Sequence, residues 1–356
     1  MADLTVGELK DRIAGFARQK IIHEPTPFRR LDRLSAELGG PEIFIKRDDL
    51  TGLAFGGNKS RKLEFIIADA LNKKADTIIT WASLQSNWCL QTAVAARQFG
   101  LRPILVLFKT YDLEPDYDGN LLLDFIAGAD IRIREAERGK VIGEEQAAPV
   151  VEEIAWEVRQ KGGVPYVVSV GGSMTGFSMD LPLGAVSYVA ALVELVEQAE
   201  GQGVGLTHVL HATGSGATQA GLTVGATALK SGLRIIGISV SDSARSFTPI
   251  VLKIARQTER ALGLEPVLQA EDVVVLDDYL AAGYGVLTRE VAEAIRLIFI
   301  HEGIILDPVY TGKAFAALLD LVRHGFFSKQ DRVAFIHTGG TPALFPYRKK
   351  LVEFLS

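Results

Sequence analysis

The chain holds a single cysteine, Cys89, in 356 residues. No internal disulfide can form, and such usage fits a reducing cytoplasm. The six histidines show no H-E-x-x-H spacing, which disfavours metal catalysis, and no G-x-S-x-G elbow offers a hydrolase serine. Basic residues are not in excess. The formal net charge of −5 leaves no electrostatic footprint for nucleic acid. Long uncharged apolar runs are missing too: the greasiest stretch, Ile295 to Val309, is interrupted by Arg296, His301, Glu302 and Asp307, so it cannot span a bilayer. The start, Met1-Ala2-Asp3-Leu4, carries an early acid and no apolar segment, so no signal peptide is expected. Repeats and low-complexity tracts are also absent. These exclusions leave a soluble cytoplasmic protein that handles a small molecule, with no nucleic-acid or membrane partner.

What is present is ordinary globular composition, 48% hydrophobic and 23% charged. At this length two domains are expected rather than one core. Residues 1–40 read as a lead-in with one helix and a Pro-bearing turn at Glu24–Pro27. Short apolar runs then alternate with helical patterns. The runs are Glu42–Lys46, Thr77–Trp81, Ile104–Phe108, Tyr166–Val170, His208–His211, Ile235–Ile238, Val273–Leu276 and Val333–Ile336. That alternation predicts an α/β fold with two open parallel sheets covered on both faces. Asp112–Asp118 reads as a surface loop. Gly171–Pro182 and Glu200–Gly205 read as Gly-rich connectors that cross between domains.

In such sheets ligands sit at strand C-termini, where helix N-termini point. Four strand-to-helix junctions carry unusual residues. Gly56-Gly57-Asn58-Lys59 opens a helix patterned by Leu63, Ile66, Ile67, Ala70 and Leu71, with Asn58 as the expected N-cap. A lysine in the first turn faces the positive end of the helix dipole, which favours its neutral amine. Gln85-Ser86-Asn87 offers side chains and free backbone N–H groups to a carboxylate. Gly214-Ser215-Gly216-Ala217-Thr218 can wrap a phosphate. It is no P-loop, and Gln219 stands where the third glycine of a dinucleotide fingerprint belongs, so a nicotinamide oxidoreductase is weakly supported. Tyr310-Thr311, before the next helix, can stack on a planar ring and either cap that helix or bond a ring nitrogen. His337-Thr338-Gly339-Gly340 ends the last apolar run. A shielded lysine, a phosphate loop, a carboxylate loop and a stacking tyrosine are what pyridoxal phosphate and an amino acid need.

With Ile45–Asp49, Gly56–Lys59, Gln85–Asn87, Gly214–Gly221, Gly283-Tyr284-Gly285, Leu306–Lys313 and His337–Gly340 in this order, the chain resembles a family of pyridoxal-phosphate enzymes. It is the 1-aminocyclopropane-1-carboxylate deaminase and D-cysteine desulfhydrase family, of tryptophan-synthase-β-like fold. The resemblance implies a homodimer with residues 1–54 and 182–356 in a larger cofactor-binding domain. Residues 55–181 then form a smaller one carrying the lysine helix and the Gln-Ser-Asn loop. It implies that Lys59 forms the Schiff base with pyridoxal 5'-phosphate and moves the α-proton, and that Ser86 approaches the substrate as base or nucleophile. Gln85, Ser86 and Asn87 would bind the substrate carboxylate, with Asn87 also at the cofactor's 3-hydroxyl. Gly214, Ser215, Gly216, Ala217 and Thr218 would hold the phosphate. Tyr310 would stack near the ring and line the reactive side with Tyr284. Thr311 and Thr338 stand where the ring-opening deaminases look to carry Glu and Leu. A neutral hydroxyl by the ring nitrogen suits β-elimination of D-cysteine, with ring opening or L-cysteate as alternatives. Two departures stand out: Trp88 and Leu90 replace the usual His and Arg. Trp88 either narrows the pocket or packs its helix on the sheet. A non-catalytic protein of this fold would keep Lys59 and the phosphate loop yet show no turnover.

Overall fold

The computed structural model describes residues 4–110, 116–137, 139–281 and 283–356. The chain begins with helix α1 (Val6–Ala14), strand β1 (Phe28–Arg30), helix α2 (Asp32–Leu38) and strand β2 (Glu42–Lys46). This lead-in is richer than the single helix expected. The start of α1 is set by a capping box, in which Thr5 and Glu8 exchange hydrogen bonds. The chain then builds α3 (Asn58–Asn72), β3 (Thr77–Ser83), α4 (Asn87–Gln98), β4 (Arg102–Lys109), α5 (Gly119–Ile126), β5 (Asp130–Glu135), α6 (Glu144–Gln160) and β6 (Pro165–Val167). Those strands make a four-stranded parallel sheet in the order β5-β4-β3-β6.

The return path comprises α7 (Leu183–Gly201), β7 (His208–Thr213), α8 (Ala217–Ala228), β8 (Arg234–Ser239), α9 (Ala244–Ala261) and β9 (Val274–Leu276). It ends with α10 (Arg289–Glu302), α11 (Thr311–Arg323), β10 (Arg332–Ile336) and α12 (Arg348–Leu355). The second sheet has six strands in the order β1-β2-β10-β7-β8-β9, and β1 alone runs antiparallel to its neighbour. Residues of β3 and β7 are buried on both faces, as helix-covered parallel strands must be, so they read as unbroken runs.

Three expectations change. The run Tyr166–Val170 stops as a strand at Val167, because a helical turn at Val170–Gly172 bends the chain away. The Glu200–Gly205 connector does not cross between sheets; it leads from α7 straight into β7 of the six-stranded sheet. Strand β5 was not anticipated, although its Ile-Arg-Ile-Arg alternation is the period of a half-exposed edge strand. Residues 111–115 of the expected surface loop lie outside the described residues. Asp118 at its end caps α5 by accepting the Gly119 N–H at 2.8 Å.

Helix α3 is fixed by buried charge. The Arg61 guanidinium, 3% exposed, donates to Asp48 at 2.8 Å, to both Glu194 oxygens at 2.9 and 3.0 Å, and to Thr26 at 3.0 Å. Lys46 joins through Glu194, and the Tyr188 hydroxyl donates to Asp48 at 2.7 Å. The cluster binds α3 to α7 and to the turn after β2. Burial alone would raise the Glu194 carboxyl, but Arg61 and Lys46 outweigh it and hold it near 2. Glu194→Gln leaves buried Lys46 without its carboxylate and Arg61 with Asp48 alone, and should cost about 3–5 kcal/mol in urea unfolding at neutral pH. A depressed carboxylate stabilises the fold fully above its unfolded value of 4.5 and loses that contribution as pH falls towards about 2. Wild type should therefore lose stability more steeply than the variant over that window. Parallel acid limbs would refute the assignment.

Candidate active site

The N-termini of α3, α4, α8 and α11 converge on one cavity with about 840 Å³ of empty space, mouth included. Lys59, Ser86, Asn87, Gly214, Ser215, Gly216, Thr218, Tyr284, Tyr310 and Thr338 share its wall. Gln85, Ala217 and Thr311 are not on it. Gln85 spends its amide on the neighbouring loop, donating to Asp118 O at 3.0 Å and accepting the Asn120 N–H at 2.8 Å. Ala217 is fully buried and offers only the backbone that opens α8. Thr311 is buried with its hydroxyl committed to Asp307, donating to Oδ1 at 2.7 Å and accepting the Asp307 N–H at 2.8 Å. The expectation that it reaches a ring nitrogen fails for that reason; Thr338 is the threonine at the cavity.

The lysine turn depends on Gly57. Its φ of 136° is open only to glycine, and a Cβ there would lie 2.6 Å from the Gln91 amide and 2.9 Å from Thr338 O. Gly57 thus takes the N-cap position, and Asn58 begins the helix instead of capping it. The Asn58 side chain reaches out in two directions, donating to Thr218 at 3.1 Å and accepting from Lys59 Nζ at 3.0 Å. Burial pulls the Lys59 amine down to about 8, against an upward pull from Asp307. Its Nζ lies 6.0 Å from the Tyr310 ring centroid. The Tyr310 and Tyr284 hydroxyls hydrogen-bond to each other, and the rings meet edge to face with centroids 5.9 Å apart. Burial, then the neighbouring Tyr284, pushes the Tyr310 phenol well up, so it stays protonated.

Two helix starts are available for anions. At α8 the cap is Gly216 at φ 91°, where a Cβ would press on Ile254 at 2.9 Å, and no side chain caps the exposed N–H groups. Beside it the Thr213 hydroxyl is buried without a partner, and Ser215 accepts from Ser173 at 2.7 Å. At α4, Ser86 caps by accepting the Cys89 N–H at 3.1 Å, which leaves its own proton to donate. Helix α11 is different, because Asp307 satisfies the N–H groups of Val309, Tyr310 and Thr311 itself.

Sequence reading missed several contributors. Asn120 donates its amide to Gln85 O at 2.9 Å and Asn87 Oδ1 at 2.7 Å, which fixes the Asn87 amide by its oxygen; no local pattern announces this. Asp307 was legible as a cap, since an acid precedes a helix start that follows within one turn. Lys62, buried one turn beyond Lys59, donates to Gly171 O at 3.1 Å. Both readings of Trp88 hold together: its indole N–H donates to Thr80 at 2.7 Å against the sheet, and the ring also forms cavity wall. Leu90 is buried away from the wall.

Trapping of Lys59 with a small aldehyde and borohydride should rise with pH through a midpoint near 8, because the free amine is the nucleophile. Asp307→Asn deletes the carboxylate that opposes the shift and should move the midpoint lower. Peptide mapping by mass spectrometry gives the yield; a midpoint at the ordinary 10.5 would overturn the buried-amine assignment.

Comparison with known proteins places the chain among its relatives. A protein of Pyrococcus furiosus, provisionally named a 1-aminocyclopropane-1-carboxylate deaminase, is 40% identical over 98% of this chain and 99% of its own. The D-cysteine desulfhydrase of Klebsiella pneumoniae is 40% identical over 94% of this chain and 98% of its own. A solved structure described as an ACC deaminase homologue superposes with a TM-score of 0.87 at 38% identity, covering 98% and 99% of the two chains. The fold is thus the tryptophan-synthase-β-like α/β fold. The model of the family described as "Pyridoxal-phosphate dependent enzyme" matches residues 20–339, and the chain belongs to that family, with pyridoxal phosphate as its cofactor.

Proposed function

We propose that the protein is a lyase that eliminates the β-substituent of a small amino acid, taking D-cysteine to pyruvate, ammonia and sulfide. The observation that carries this reading is the pairing, across one cavity, of an amine near 8 with two hydrogen-bonded phenols. The residues present suit the cofactor. The uncapped start of α8, the Gly216 cradle and the unpartnered Thr213 hydroxyl are fit for its phosphate, and Gly214, Ser215 and Thr218 complete that end. Thr338 is proposed beside the ring nitrogen and Asn87 at the 3-hydroxyl. When bound, the cofactor supplies an electron sink for the pair left at Cα.

The chain's own groups do the rest. The first N–H groups of α4, with the Ser86 proton, hold the substrate carboxylate; Ser86 is also proposed to approach the substrate as base or nucleophile. Lys59 takes the α-proton. The electron pair then expels the sulfur, and the Tyr284–Tyr310 pair hands it a proton. The released enamine takes up water to give pyruvate and ammonia. Residues 55–181 are proposed as the smaller domain and 1–54 with 182–356 as the larger, in a cytoplasmic homodimer. The buried free thiol of Cys89 supports the reducing setting.

Ring opening of 1-aminocyclopropane-1-carboxylate is kept as a second reading, because relatives bearing each name are equally identical to this chain. Purified protein should be yellow and Lys59→Ala colourless by absorption spectroscopy. Tyr284→Phe should keep the colour and lose about 100-fold in kcat. Rates with D-cysteine, L-cysteine, β-chloro-D-alanine, L-cysteate and the cyclopropane amino acid decide the substrate. Faster ring opening than elimination overturns the primary reading.

A further inference from the structure

Helix α11 is involved with the reactive tyrosines twice. Tyr310 is the residue at its start, and Lys313 lies one turn further on the same face. Lys313 is 1% exposed and does not reach the cavity wall. Its Nζ donates to Leu280 O at 3.1 Å and to Gly283 O at 3.3 Å. The residue after the second carbonyl is Tyr284, whose hydroxyl bonds that of Tyr310. One helical turn therefore presents one tyrosine and grips the loop that presents the other. The same loop is held at other points as well: the Tyr347 hydroxyl donates to Gly285 O at 2.6 Å, the Tyr284 N–H donates to Gly139 O at 3.1 Å, and the Tyr284 hydroxyl lies 3.3 Å from Ser83 Oγ. Gly283, at φ 124°, gives the loop a backbone that can take other courses when released.

A buried ammonium is costly, and an apolar side chain of similar volume would fill the same space more cheaply. The cost makes sense where the charge has directional partners, and here those are two carbonyls on either side of the turn. We infer that Lys313 is a positioning residue that sets the Tyr284–Tyr310 hydroxyl pair by clasping the Tyr284 loop to α11. Its catalytic consequence rests on the lyase reading; the clasp itself does not. A side chain displaced by about 1 Å at such a pair costs on the order of 100-fold in rate, so the loop's register is worth fixing.

The test is Lys313→Met, which keeps the volume and removes the donors. In cofactor-free protein, hydrogen exchange read by mass spectrometry should rise in the peptide holding Tyr284 and stay as in wild type in peptides holding Lys59 and Gly214–Thr218. In holoenzyme the visible band and KM should persist while kcat falls by about ten- to 100-fold. The double variant with Tyr284→Phe should be no slower than Tyr284→Phe alone, since both act through one group. Tyr347→Phe, which deletes a hold from another element, should loosen the same peptide and serves if K313M is not recovered folded. Wild-type exchange at the Tyr284 peptide in both variants, or losses that multiply in the double variant, overturns the inference. The exchange result is independent of turnover: a wild-type protein inert toward every amino acid tested would overturn the lyase reading and leave the clasp to be judged on exchange alone.

Discussion

The pairing of Arg61 with Asp48 and Glu194 is the contact on which the site depends. It lies two residues beyond Lys59 on the same helix and joins α3 to α7 and to the turn after β2. A helix held only by apolar packing can slide or rotate at modest cost. One pinned by a buried guanidinium through four directional hydrogen bonds cannot, because any displacement leaves unpaired charge in a dry interior. The lysine therefore enters the cavity at a fixed angle, and Gly57 lets the chain approach the Thr338 turn closely enough to complete the wall.

The cavity wall carries very little positive side-chain charge to offer an anion. Lys59 is the cation on the described wall, and burial lowers its amine to about 8. Charge complementarity falls instead to helix ends, and each is prepared differently. Helix α8 is left uncapped and lined with small residues, so backbone N–H groups stay open to a phosphate. At α4 the cap is a serine whose proton remains free. At α11 the end is closed by Asp307, which rules it out as an anion site and leaves a negative charge facing Lys59. One structural feature, the helix start, thus performs three jobs according to the residue at its cap.

Much of this was legible from the chain itself. Runs such as Thr77–Trp81 and Val333–Ile336 are buried on both faces, so their composition reveals them without a partner in view. Lys59 and the Gly214–Thr218 turn were equally clear, because a strand, a glycine turn and a helix start follow one another within a few residues. The errors have a shared cause. Gln85, Asn58 and Thr311 were assigned by residue type beside a junction, yet each side chain is claimed by a group distant in sequence or by a competing neighbour: Asn120, Thr218 and Asp307.

The sequence by itself determined the parallel α/β architecture, the family and the place of Lys59 in the first turn of a helix, since periodicity, turn chemistry and helix starts are local properties of the chain. Only the tertiary structure decided which hydroxyls and amides face the cavity, that Thr338 and not Thr311 is at its wall, and that Asn120 and Lys313 hold Asn87 and the Tyr284 loop. A polar side chain has several possible hydrogen-bond partners. The one it takes is set by distance after folding, and spacing along the chain carries no record of that choice.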